Sequence, residues 1–127
     1  MAATAYKAYQ ETQVHTSDPK TLLLLLLEAS VSFIRAAREA INQRRWDVKH
    51  NNIVRVQEIV RHLSLVLRDD VAPDLAASLR KLYIHLDLVL TEANLEDSTE
   101  KLEHAEEILA ALAAAWKQAA QQLPPGE

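Results

Sequence analysis

The residues of this chain best suited to metal or acid–base chemistry are five histidines, His15, His50, His62, His85 and His104. A di-iron helical bundle takes ligands from Glu-x-x-His, which puts a carboxylate and an imidazole one helical turn apart. No Glu in this sequence has a His three residues later. Glu58–His62 and Glu100–His104 are four apart, which is equally the spacing of an ordinary pair on a helix surface. Neither a metal site nor a cofactor site is expected on these grounds. A phosphotransfer bundle built on His62 is the alternative chemistry, with His62 in mid-helix on the solvent side. Such domains follow the His closely with Lys and Gly, whereas Leu-Ser-Leu-Val-Leu follows His62. The single glycine is Gly126, so neither a Gly-x-Ser-x-Gly nucleophile turn nor a Gly-rich phosphate loop exists. The sequence is not that of an enzyme by these criteria.

Composition points the same way. The 127 residues are 49% hydrophobic and 25% charged, an ordinary balance for one globular domain. One glycine is too few for the turns of a β-rich fold, so helices are favoured. There is no cysteine, which excludes disulfides and thiolate metal sites and fits a reducing compartment. A net charge of −4 leaves no electrostatic footprint for nucleic acid, and Arg44-Arg45 is a pair rather than a patch. The run Leu22 to Leu27 is bounded by Lys20 and Glu28 and falls far short of the roughly 20 apolar residues of a membrane span. No membrane insertion is expected. The N-terminus lacks the pattern of a signal peptide. The expected location is the cytoplasm.

Four helices would position whatever function there is. Asp18-Pro19 is an N-cap followed by proline at the first helical position. The helix it opens is expected to reach about Gln43, with Leu23, Leu26, Leu27, Phe33, Ile34, Ala37 and Ile41 inward. A second is expected from a cap at Asp47 to about Arg68, burying Ile53, Val56, Val60, Leu63 and Leu67. Asp69, Asp70 and Pro73 mark a turn, because proline is tolerated only in a first helical turn. A third is expected to reach about Leu95, with Leu75, Leu79, Leu82, Leu86, Val89 and Ala93 on one face and Asn94 as a left-handed cap. Asp97 and Glu100 suggest a capping box for a fourth helix carrying Leu102, Ala105, Leu109, Leu112 and Trp116. Trp46 is expected as a packing anchor at the first hairpin. Short connections make neighbours antiparallel. The expected fold is an all-α, antiparallel up-down four-helix bundle over residues 18–122. Residues 1–17 form an N-terminal cap segment, helical or extended, packed on it, and 123–127 a flexible tail.

One helix carries more apolar surface than a bundle needs. Besides its core face, the third has Ala77, Ile84, Leu88 and Leu95 on the opposite side at helical spacing of their own. Val54 and Leu65 face away from the main stripe of the second, and Leu24 and Val31 from that of the first. The outward face of the fourth carries Glu103, His104 and Glu107. Exposed apolar stripes mark partner sites, and a partner helix in such a groove touches residues at i, i+4 and i+7. The alternative is that the stripe is covered by the N-terminal segment or by a second copy in a homo-oligomeric structural bundle.

The order of signals resembles the FliS family of flagellar export chaperones. Ala5-Tyr6-Lys7-Ala8-Tyr9 with Gln13-Val14 is similar to that family's N-terminal segment. Thr16-Ser17-Asp18-Pro19 before Leu22 to Leu27 resembles its Thr-Ala-Ser-Pro entry into a leucine-rich helix. Asn52-Ile53, Leu79, Leu82-Tyr83, Glu92-Ala93-Asn94 and Trp116-Lys117 follow in the family's order. Glu28-Ala29-Ser30 stands where the family usually has Asp-Gly-Ala. The resemblance covers roughly residues 5 to 119. It implies a cytoplasmic chaperone that wraps the otherwise disordered C-terminal region of flagellin, prevents premature polymerisation and aids delivery to the export apparatus. Components of that apparatus are further expected partners. On this reading Val54, Leu65, Ile84, Leu88 and Leu95 contact the client, and Tyr9 and Val14 belong to a cap that the client displaces. The chain itself is expected as a monomer or homodimer.

Overall fold

The computed structural model of the protein describes residues 18–122. Four helices follow one another: α1 (Pro19–Asn42), α2 (Trp46–Leu65), α3 (Pro73–Glu96) and α4 (Thr99–Gln122). Each packs on its sequence neighbour, and α4 closes the ring on α1. Side-chain links fix the directions. Arg35 and Arg38 of α1 meet Glu106 of α4, while Trp116, farther along α4, donates its indole N–H to the Lys20 carbonyl at the start of α1 at 2.9 Å. Gln57 of α2 meets Asp87 of α3, while Lys49, earlier in α2, reaches Asn94, later in α3. Neighbours therefore run antiparallel, and the bundle is up-down. The expected cap segment (1–17) and tail (123–127) lie outside the described residues.

The core is the inward stripe of each helix. Phe33, Ile34, Ile53, Val56, Leu86, Leu90, Leu102 and Leu109 are wholly buried, with Leu23, Ile41, Leu67, Leu112 and Trp116 packed against them in part. Ala29 and Ser30 are buried too, and the Ser30 hydroxyl donates to the Leu27 carbonyl at 2.6 Å. A hydroxyl inside a helix is accommodated because it bonds back to its own preceding turn.

Four boundary expectations are corrected. The start of α1 is as expected: the Asp18 carboxylate accepts from the Lys20 N–H and the Thr21 hydroxyl. But α2 starts at Trp46, flanked by Arg45 with no side-chain cap, so Asp47 lies in its first turn rather than capping it. It also ends at Leu65, where Val66 leaves helical geometry, three residues before Arg68. The left-handed residue after α3 is Asp97 (φ 53°, ψ 43°), not Asn94. The cap of α4 is the Ser98 hydroxyl, which accepts from the Lys101 N–H at 3.1 Å, in place of an Asp97–Glu100 box.

Both tight reversals use a left-handed residue that is not glycine, Arg44 (φ 56°) and Asp97. Behind each, the next N–H reaches back five residues, from Arg45 to the Ala40 carbonyl and from Ser98 to the Ala93 carbonyl. These bonds satisfy carbonyls that the helix end leaves open. A side chain in that conformation costs about 1–2 kcal/mol. At Asp97 the carboxylate gains a partner in return, the ammonium of buried Lys49. Lys49 also donates to the Asn94 carbonyl at 2.9 Å and lies 5.7 Å from the centre of the Trp46 ring. Trp46 itself is about half exposed. It covers a buried cation at the hairpin end rather than filling the core.

Two stripe expectations are also corrected. Val31 is buried and belongs to the core, and Leu75 is 60% exposed and does not. Leu86, Val89 and Ala93 are buried as expected and Leu79 and Leu82 pack against the core in part, while Ala76, Tyr83 and Leu90 join that face and Leu75, in the first turn, lies outside it.

Candidate functional site

The outward face of α3 keeps its apolar residues in solvent. Ile84 is 69%, Leu88 56% and Leu95 80% exposed, and Ala77 is exposed with them. They recur at spacings of seven, four and seven, so they lie in one line along the helix. From Ala77 to Leu95 the line runs about 27 Å at the helical rise of 1.5 Å per residue. On α2, Leu65 is 83% exposed and Val54 is half-buried. Leu24 on α1 is half-buried and does not extend the line.

A polar clasp joins the two helices beside this line. The Gln57 amide donates to Asp87 at 3.1 Å and to the Thr91 hydroxyl at 3.0 Å. Arg61 lies 3.9 Å from the same Asp87 carboxylate. Val54 precedes Gln57 by three residues, Ile84 precedes Asp87 by three, and Leu88 and Leu95 each stand one turn or less from Asp87 or Thr91. Helical neighbours at three and four residues share a face. The α2–α3 seam is thus polar along its floor and apolar on both banks, with Val54 and Leu65 on one and Ile84, Leu88 and Leu95 on the other. Sequence reasoning missed the clasp. Its signal was Asp87 and Thr91 interrupting an otherwise apolar stretch at a spacing of four.

A second feature lies at the end of the bundle where α1 begins. A cleft of about 350 Å³ is lined by Leu22, Leu23, His62, Val66, Arg68 and Trp116, with Pro19 and Lys20 at its edge. His62, expected on the solvent side, is half-buried here. Tyr9 and Val14 lie outside the described residues.

The opposite seam is held by charge. Glu106 accepts from Arg35 at 3.0 Å and Arg38 at 2.7 Å. Partial burial works to raise its carboxyl, but the two guanidinium groups outweigh this and hold it below the usual carboxylate range. The α2–α3 connection is similarly tied, with Arg68 on Asp70 and Arg80 on Asp69, each through two hydrogen bonds. Both aspartates are held low by these arginine contacts. Buried Tyr83 is pushed above the ordinary phenol range by desolvation. Among the described residues, no group of three or more His, Cys, Asp or Glu side chains is placed to hold a metal ion, and no helix is long and apolar enough to cross a membrane.

An all-α bundle with a line of exposed apolar side chains along one helix offers the kind of surface on which a helical peptide can dock. Comparison with known proteins identifies which such bundle. The family model described as flagellar protein FliS matches residues 1–123, and the chain belongs to that family. The flagellar secretion chaperone FliS of Bacillus subtilis is 33% identical over 116 residues, covering 91% of this chain and 86% of that one. The protein of the same name from Salmonella typhimurium is 27% identical over 121 residues, covering 91% and 90%. A crystal structure of a flagellar chaperone from bacteria matches the fold with a TM-score of 0.77 at 19% identity, over 95% of this chain and 98% of that one.

Proposed function

We propose that this chain is a cytoplasmic secretion chaperone for flagellin, without catalytic activity, and that it binds the C-terminal region of its client along the α2–α3 seam. The observation that carries the site is the exposure of Ile84, Leu88 and Leu95 in one line beside Val54 and Leu65. Membership of the FliS family supports the client class.

The energetics suit a disordered client. Ordering a peptide costs about 1–2 kcal/mol per backbone residue fixed. Fully burying one Leu or Ile side chain gains about 1.5–3 kcal/mol. A line of apolar side chains running the length of a helix offsets that ordering cost in a way a single pocket cannot. Because the gain is spread over several turns, the client can be handed to the export apparatus stepwise. The floor of the seam supplies register: Gln57, Asp87 and Thr91 keep polar atoms that a client backbone can engage. Tyr9 and Val14 are assigned to a displaceable cap on the strength of the family resemblance of residues 5–14. Removing the Tyr9 ring (Tyr9→Ala) should then tighten client binding.

Calorimetric titration with a peptide spanning the C-terminal region of the cognate flagellin tests the reading. Saturable one-to-one binding is expected, with a negative heat-capacity change from apolar burial and a gain of helix. Absence of binding, together with a stable dimer in sedimentation, would assign the seam to self-association instead.

A further inference from the structure

On the seam between α3 and α4, His85 and His104 meet across the two helices. Their Nε2 atoms are 3.0 Å apart, and the rings stand edge-on, with centroids 5.2 Å apart and planes at 87°. Both side chains are exposed. We propose that this pair is a two-histidine site for a late first-row divalent ion of the Cu(II) or Ni(II) type, held by the two Nε2 atoms as adjacent ligands and completed by water.

The argument is one of bite. Imidazole nitrogens bind such ions at about 2.0–2.1 Å. Two nitrogens at a right angle around one ion are then about 2.9–3.0 Å apart, which matches the separation here, where one ring N–H donates to the other ring and an ion would take the place of that proton. A right-angled pair of nitrogens suits tetragonal Cu(II) or Ni(II), and copper heads the affinity order for nitrogen donors. The rings point at one another, so each must swing off the common axis to aim its lone pair at a shared ion. The torsion that does this is soft in histidine, and both rings have solvent around them.

The backbone supplies the rest. His85 sits at the middle of α3 and His104 in the second turn of α4, helices whose relative position is set by the buried Leu86, Leu90, Leu102 and Leu109, so the two backbones stay at a fixed separation while the rings turn. Glu100 stands one turn before His104 on the same surface. Lys81, one turn before His85, acts against a cation, and Lys101 is engaged with Glu92 and Glu96. The site is independent of flagellin binding, although Leu88 lies only three residues beyond His85.

The test uses the full chain and the metal alone. Stoichiometric CuSO4 is titrated into the protein while the Cu(II) electron-paramagnetic resonance spectrum and the thermal midpoint are followed. The expected result is one ion per chain at micromolar concentration, a spectrum with two coordinated nitrogens, and a midpoint raised by several degrees as the bound state is favoured by mass action. Either His85→Gln or His104→Gln should abolish the two-nitrogen signal and the shift while leaving helicity unchanged. His15→Gln, His50→Gln and His62→Gln should leave both in place. Binding only at millimolar copper, or a two-nitrogen signal that survives both His85→Gln and His104→Gln, would overturn the site.

Discussion

The outward faces of α3 and α4 belong to helices of equal length in the same bundle, yet they are built oppositely. That of α3 presents Ile84, Leu88 and Leu95 to solvent. That of α4 presents Glu103, His104 and Glu107. Neither face is needed to fill the core, which both helices complete with other residues. The difference is therefore not a requirement of the fold. A bundle gains solubility from the α4 solution and loses it with the α3 solution, which is the ground for placing the proposed client site on α3.

The largest expected effect separates the two sides of α3 itself. Leu86→Ala should cost about 2–5 kcal/mol of stability through the cavity it leaves. Leu88→Ala, two residues on, should stay within about 0.5 kcal/mol, as surface substitutions do. Chemical denaturation of the two variants measures this. Next, Ile84→Asp with Leu88→Asp should weaken flagellin-peptide binding by at least about a hundredfold, since two apolar anchors of roughly 1.5 kcal/mol or more are replaced by charges. The circular dichroism spectrum should not change. Glu103→Ala with Glu107→Ala on α4 should leave affinity where it was.

Two smaller effects sharpen the contrast by acting away from the α3 face, on the α1–α4 seam and in the α1–α2 turn. Glu106 is held below its ordinary range by Arg35 and Arg38. A carboxyl lowered in the folded state contributes stability above the unfolded range and loses it as pH falls through the folded value. Denaturation midpoints taken from neutral pH down through the acid carboxylate range should therefore fall more steeply for the wild type than for Glu106→Gln. At neutral pH the substitution should cost on the order of 1 kcal/mol. Arg44→Gly should do the reverse, stabilising the chain by up to about 1 kcal/mol by relieving the left-handed backbone. Neither should alter client affinity.

Much of this architecture was legible in the residues. Asp18-Pro19 announced the start of α1 because its cap is local: the carboxylate bonds N–H and hydroxyl groups two and three residues away. The α3 stripe was legible because a second apolar periodicity on one helix has no structural use in a four-helix ring. What could not be read were features decided by distant partners. Asn94 was the expected left-handed residue by type, but Asp97 takes that conformation, where its carboxylate meets buried Lys49 from α2. Leu75 and Tyr83 both fit a helical stripe, and only the packing of α3 on its neighbours turns Tyr83 in and Leu75 out. The clasp of Gln57 with Asp87 and Thr91 spans about 30 residues of sequence; Asp87 and Thr91 interrupt an apolar stretch, but nothing local to them names Gln57 as the partner.

The contrast between α3 and α4 is tested most directly by site-specific photo-crosslinking. A photoreactive side chain is placed at position 88 in one variant and at position 103 in another, and each is irradiated with the flagellin C-terminal peptide. The account predicts a one-to-one crosslink from position 88 that excess unlabelled peptide suppresses, and none from position 103. Crosslinking from position 103 but not from position 88 would place the client on the charged face and contradict it.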